Sequence, residues 1–352
     1  MRFVTLVILA MGIAISWAEP LQLILVEPKT VTPAQISEWK KDGYKGVAVV
    51  LDEDTGDADY RGLPRRAAEG NLELYWWIEV GRNPKLAAAH PKWMASLGSH
   101  EDWLKRFPSV PRPAADEVAK AYPWVPISYQ ESFDAHLRRI EGLLERAPDG
   151  AKGLLLNDLQ GGPSSCGCGN VLCRWAADYH VRPTATKLEG DFTAGRFVSE
   201  VRKRAGKQAV IPVWTTECEQ VDLPANKRQG QAGTGLCGMV PCAVGGCPES
   251  FSGQWSGLLS MYEGPVGLLA LHTALQRTQA QFGGGPQWVT NAIAYPNQTV
   301  SPYKGKTVTA DRLWIVVEES ARETAAKAGV GAVIVARAKI DQSYEPRIVS
   351  AK

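Results

Sequence analysis

The sequence of 352 residues has no apolar run long enough to cross a membrane, which takes ~20 consecutive apolar residues. It has no glycine-rich dinucleotide fingerprint after its first expected strand, and no phosphate-cradling lysine loop. Both absences count against a doubly wound nucleotide-binding fold, and no cofactor is called for. Its net charge is only +2 and it carries no basic stripe, which excludes nucleic acid as the expected partner. It contains no Cys-x-x-Cys-His, so covalently attached haem is out. No cysteine stands before residue 166 or after residue 247.

What is present begins with an export signal. Met1-Arg2 is a basic start, Phe3 to Ile15 an apolar core, and Ser16-Trp17-Ala18 a small-residue cleavage site. The expected organisation is a signal peptide over 1–18 and one domain over 19–352, secreted or periplasmic. The seven cysteines, Cys166, Cys168, Cys173, Cys218, Cys237, Cys242 and Cys247, therefore read first as disulfides. Seven is odd, so at least one is free or pairs between chains. Zinc ligation by thiolates is the other reading, but the spacings match no ordinary zinc ribbon, and no metal is expected.

Strand and helix patterns alternate along the rest. Leu21–Glu27, Gly46–Asp52, Leu72–Glu79, Gly153–Asp158, Ala209–Thr216 and Val266–Leu271 read as strands, with Trp314–Val317 and Ala332–Ala336 supplying two more. Several are apolar throughout, as parallel strands buried on both faces must be. Helices are expected over 30–42, 61–69, 192–205 and 319–328. A further helix follows a capping box at Ser128–Glu131, with Phe133, Leu137, Ile140 and Leu144 on one face. A long excursion rich in proline and tryptophan fills 81–127. Pro212 sits inside an expected strand, where a bulge would have to absorb the lost ladder bond. The fold class is α/β, a single (β/α)8 TIM-type barrel with long, cysteine-stapled loops.

In such a barrel the carboxyl ends of the strands build the site. Here they carry Glu27, Asp52 with Glu53, Glu79, Asn157 with Asp158, Glu217 with Glu219, and His272, near Trp76, Trp77 and Trp214. Twelve tryptophans are available, for the core or as platforms for sugar rings. Two carboxyl groups flanking a bond are what glycoside hydrolysis requires. Asp158 and Glu217 are the expected catalytic pair, each ending an apolar strand and opening a cysteine-bearing loop. Glu79, Trp77, Asn157, Gln160, Trp214 and His272 are the expected contacts to a carbohydrate substrate. Glu27, before Pro28, reads as structural.

Three passages, Lys45–Asp52, Ile78–Gly81 with His90–Trp93, and Gly153–Asp158, resemble the second, third and fourth strands of bacterial glycoside-hydrolase-like barrels of the broad α-amylase-like type. That resemblance implies a nucleophilic carboxylate at Asp158 and an acid/base at Glu217. Two departures stand against it: Leu156 occupies the place of an arginine two residues before Asp158, and no clear Asn-His-Asp stands near the seventh strand. Alternatives are a non-catalytic carbohydrate- or cell-envelope-binding barrel, or a structural protein built on a thiolate metal site.

Overall fold

A computed structural model of the chain describes residues 19–97, 103–127, 129–159, 193–215, 258, 261–271, 308–341 and 343–350. Its strands are β1 (Leu21–Val26), β2 (Gly46–Val50), β3 (Glu73–Glu79), β4 (Ser96–Leu97), β5 (Glu117–Tyr122), β6 (Gly153–Asn157), β7 (Ala209–Thr215), β8 (Val266–Leu269), β9 (Leu313–Val317), β10 (Ala332–Ala336) and β11 (Glu345–Ser350). Eight of them close a barrel in the order β1-β10-β9-β8-β7-β6-β3-β2. All neighbouring pairs in it are parallel. Once β4 and β5 are set aside, neighbours in the wall are neighbours in the chain, as a (β/α)8 barrel requires.

Strand alternation divides the apolar residues into two layers. Leu23, Leu25, Ala48, Tyr75, Trp77, Leu155, Ile211, Val213 and Trp314 fill the barrel interior. Their sequence neighbours, Ile24, Val47, Val49, Trp76, Leu154 and Leu156, face a ring of helices. Trp76 and Trp77 therefore part company. Trp76 packs edge-on against Tyr60 in the outer layer, with ring centroids 5.8 Å apart, while Trp77 lies inside the barrel.

The outer ring includes α1 (Pro33–Lys41), α2 (Asp57–Arg61), α3 (Leu63–Glu69), α6 (Gln130–Arg146), α7 (Thr193–Ala205) and α8 (Arg322–Lys327). By contrast, α4 (Pro84–Ala89) and α5 (Trp103–Arg106) belong to the excursion after β3, where Ala87 packs with Met94 and Val125, and Trp103 with Ala119 and Ala121. Thr32 caps α1 by accepting from the Gln35 amide, and Pro33 follows at the first helical position, where its missing N–H costs nothing. Helix α6 starts differently from the expected capping box. Its N-cap is Tyr129, which makes no side-chain cap bond, and Ser128 lies outside the described residues. The first turn is held instead by Ser132 Oγ, which donates to the Pro126 carbonyl at 2.6 Å. His136 Nε2 adds a bond to the Val125 carbonyl at 2.8 Å. Full burial drives the His136 pKa down to about 3, so its ring is a neutral structural group. Helices α6 and α7 meet through Phe133 and Phe197, edge-on at 5.1 Å.

Pro212 needs no bulge. The β6 ladder pairs with β7 from Ala209 through Pro212, and the β8 ladder takes over at Val213. The proline stands where the strand changes partners.

The long excursion holds more structure than expected. Strands β4 and β5 form an antiparallel sheet with β11, in the order β11-β5-β4. This sheet is tied to the barrel just beyond β3. Arg82 pairs with Asp341 at 2.8 Å, and the Val125 amide donates to the Gly81 carbonyl at 2.7 Å.

One glycine closes the barrel seam. Gly331 donates its amide to the Ala310 and Leu313 carbonyls and accepts from the Leu21 amide. A Cβ there would lie 2.0 Å from the Asp311 carbonyl oxygen. Gly331→Ala is expected to destabilise the protein by ~1–3 kcal/mol, the usual cost of overpacking. A urea midpoint that does not move would refute this.

Candidate active site

Strands β3 and β6 run side by side, and Glu79 is in register with Asn157. Each continues the inward-facing series of its strand, Tyr75–Trp77–Glu79 and Leu155–Asn157, beyond the apolar plug. The Trp77 indole N–H donates to Glu79 Oε1 at 2.7 Å. Asn157 Nδ2 donates to Glu79 Oε2 at 2.8 Å and to Asp158 Oδ2 at 3.1 Å. One amide with two hydrogens thus bridges two carboxyl groups. Because both partners accept, the NH2 end must be the one that faces them. Both Glu79 oxygens are occupied as acceptors, which makes it a positioning group. Asn157 Oδ1 is buried and has no hydrogen-bond partner among the described residues.

Asp158 is fully buried and has φ +62°. Only Asn71 shares a positive φ among the described residues other than glycine. The left-handed conformation costs roughly 1–2 kcal/mol for an ordinary residue and less for Asp or Asn. Such strain persists where the surroundings dictate it, and it concentrates at functional sites.

A second group of carboxylates continues the rim. Asp52 Oδ1 accepts from the amides of Asp54 and Thr55, at 2.9 and 2.7 Å, which folds the turn after β2. Glu53 takes a two-pronged contact from Arg139, through Nε to Oε1 and through Nη2 to Oε2 at 3.2 Å. The same guanidinium donates Nη1 to the Glu79 carbonyl at 2.7 Å. Arg139, on α6, therefore locks the turn after β2 to the end of β3. Burial by itself would raise the Glu53 carboxyl, but the Arg139 bond and charge, with Asn83, hold it below the ordinary glutamate range.

Glu27 follows β1, and Leu23 and Leu25 before it point into the barrel. Its backbone carbonyl accepts from the Thr30 amide and hydroxyl. Its carboxyl makes no hydrogen bond or ion pair among the described residues. Partial desolvation, then the Asp52 charge, push its pKa above the usual glutamate value.

The described residues thus bring together Asp158, Asn157, Glu79 and Trp77 of the expected site. Trp77 is wholly buried and serves there as a donor to Glu79. Trp214 is a strand residue of β7, backbone-paired with Leu268. Glu217, Gln160, His272 and all seven cysteines lie outside the described residues, as do the loops the cysteines were expected to staple. Reading the sequence missed Arg139, which carries no motif, and set Glu27 aside on account of Pro28. Among the described residues no helix is long and apolar enough to cross a membrane, and no cluster of His, Cys, Asp and Glu could hold a metal ion. A cleft of about 640 Å³ lies at the other end of the barrel, where Lys152, Arg202, Lys207 and Tyr262 line it, and none of the mouth residues contributes.

No family model matches the sequence, and no curated protein matches it. Solved structures match only at low similarity. The β-galactosidase of the psychrophilic Marinomonas ef1 is 9% identical, with a TM-score of 0.47 over 90% of this chain and 54% of that one. A glycoside hydrolase family 20 β-N-acetylglucosaminidase is 10% identical, with a TM-score of 0.40 over 90% of this chain and 63% of its own. The citrate synthase SbnG is 9% identical, with a TM-score of 0.36 over 90% and 86% of the two chains. The chain spans little more than half of the first and under two thirds of the second. At such low scores the likeness carries no activity over to this chain.

Proposed function

We propose that this chain is a carbohydrate-active barrel that hydrolyses glycosidic bonds at its carboxyl-end mouth. Asp158 is the carboxylate that attacks the anomeric carbon or activates water against it. The observation that carries the reading is the strained, buried Asp158 joined through the Asn157 amide to Glu79 and Trp77. Asn157 Oδ1, a buried acceptor among these donors and acids, suits a sugar hydroxyl. Gln160, Trp214 and His272 are proposed as further sugar contacts. Glu217 is the acid that the resemblance to α-amylase-like barrels offers, and Glu27 the acid that the described mouth offers. Export and disulfide formation belong to the same proposal. Thiol titration of denatured, unreduced protein should find about one free thiol, and five or more would sink the disulfides.

The test is a hydrolysis screen of the purified mature chain over a panel of glycans, with Asp158→Asn as the blank. Release of reducing sugar by the wild type alone supports the reading, and release by neither protein overturns it. A second reading rests on the complete burial of Asp158 and Trp77. It makes the barrel a carbohydrate-binding protein that retains a glycan without cleaving it. Equal glycan affinity in wild type and Asp158→Asn, with turnover in neither, would establish that reading.

A further inference from the structure

Four strands adjacent in the wall, β1, β2, β3 and β6, each carry a polar residue where their inward-facing series leaves the apolar plug: Glu27, Asp52, Glu79 and Asn157. Three of the four are engaged by neighbours. Asp52 folds its own turn, Glu79 accepts on both oxygens, and the Asn157 amide is shared between two carboxyls. Glu27 alone is exposed, with a carboxyl that no described residue holds. Asn157 Oδ1, fully buried and unpartnered among the described residues, marks the same mouth as a place where a ligand donor belongs.

We propose that Glu27 is the general acid of this site, the group that protonates the leaving glycosidic oxygen across the mouth from Asp158. The inference rests on the glycosidase reading above and replaces Glu217 in the acid role. Strands β1 and β6 are three wall steps of ~4.8 Å apart, and the alternation after Leu23 and Leu25 puts Glu27 in the inward-facing series of β1. The proton passes from the Glu27 carboxyl to the glycosidic oxygen as its bond to the anomeric carbon breaks. The bonding electrons stay on that oxygen, which leaves as a neutral hydroxyl. The anomeric carbon takes its new oxygen from water, and the proton released from that water restores the carboxyl.

The electrostatics suit the role. Asp52 is the charge that acts on Glu27, and other charged groups on the elements around it are Glu53 after β2, Lys29 in the following turn, Asp59 on α2, and Arg337 and Lys339 after β10. Lys29 lies 3.9 Å from Asp59, and Arg337 lies 3.2 Å from Glu319, so both cations serve other carboxylates. The Asp52 charge and partial desolvation act on Glu27 in the same direction, favouring its protonated form.

Glu27→Gln is the test, with leaving-group dependence as its readout. Turnover of alkyl glycosides, whose leaving oxygen needs a proton, should fall by at least ~100-fold. Turnover of aryl glycosides with an acidic phenol should change little, because the phenolate leaves unaided. The descending, alkaline limb of the pH profile should vanish in the variant, and Asp52→Asn should move that limb to lower pH. The variant's thermal midpoint at neutral pH should be no lower than the wild type's, since a raised carboxyl pKa stabilises only at pH values below it. An active wild type whose Glu27→Gln variant keeps both its alkyl-glycoside rate and its pH profile overturns the assignment. So does the leaving-group signature appearing in Glu217→Gln instead. A wild type inert on every glycan is a different result: it sinks the glycosidase reading, and the acid role goes with it.

Discussion

Asp158→Asn is expected to lower glycoside turnover by at least ~100-fold while the barrel stays folded. The backbone explains why asparagine is the informative replacement. Asp158 sits at φ +62°, a region in which Asn is several-fold enriched over other residues. The side chain is isosteric, and its amide oxygen can still accept from Asn157 Nδ2, which now bonds Asp158 Oδ2 at 3.1 Å. What disappears is the charge and the ability to attack an anomeric carbon or take a proton from water. Asp158→Ala should be no more active but less stable than Asp158→Asn, because alanine pays roughly 1–2 kcal/mol for the left-handed conformation without a compensating bond. Initial rates on the best glycan, beside urea denaturation of all three proteins, separate the effects. A folded Asp158→Asn that retains more than a tenth of wild-type turnover would remove Asp158 from the chemistry.

The barrel was legible because its strands are buried on both faces, and burial on both faces leaves unbroken apolar runs such as Val47–Val50 and Leu154–Leu156. The site was legible for a related reason. Asn157 and Asp158 interrupt one such run at its end, and Glu79 ends another. Periodicity does not say which of two adjacent tryptophans faces inward, and the register of β3 against β6 decides that for Trp76 and Trp77. The small sheet was illegible because its pairings are remote. Glu345 pairs with Tyr122, more than two hundred residues away. Neither β5 nor β11 is apolar enough to announce itself. Glu27 was hidden by local chemistry, since a glutamate before Pro28 looks like part of a turn. It is part of one, through its carbonyl, and the carboxyl is left over.

Arg139→Met is expected to cost about 2–3 kcal/mol of stability at neutral pH and to lower turnover as well. The guanidinium makes three contacts at once: two to Glu53 and one to the Glu79 carbonyl. Methionine keeps most of the apolar stem, so the loss isolates those contacts. Breaking a buried ion pair costs ~3–5 kcal/mol, and the side chain of Glu53 is 28% exposed against 9% for Arg139. Water reaching Glu53 in the variant puts the expected cost below that range. The pH dependence gives a sharper check. Glu53 is held below the ordinary glutamate range in the folded protein, so its contribution is complete above the unfolded-state pKa. It is lost as the pH falls through the depressed folded value. The stability gap between wild type and Arg139→Met should therefore be widest near neutrality and should narrow below about pH 4. Adding Glu53→Gln to Arg139→Met should recover part of the loss, because the stranded charge goes with it. A gap that is independent of pH would mean that the Glu79 carbonyl contact, and not the ion pair, dominates. The turnover loss should persist in the double variant, since neither change restores the donor to the Glu79 carbonyl at the rim where Trp77, Glu79 and Asn157 hold Asp158 in place.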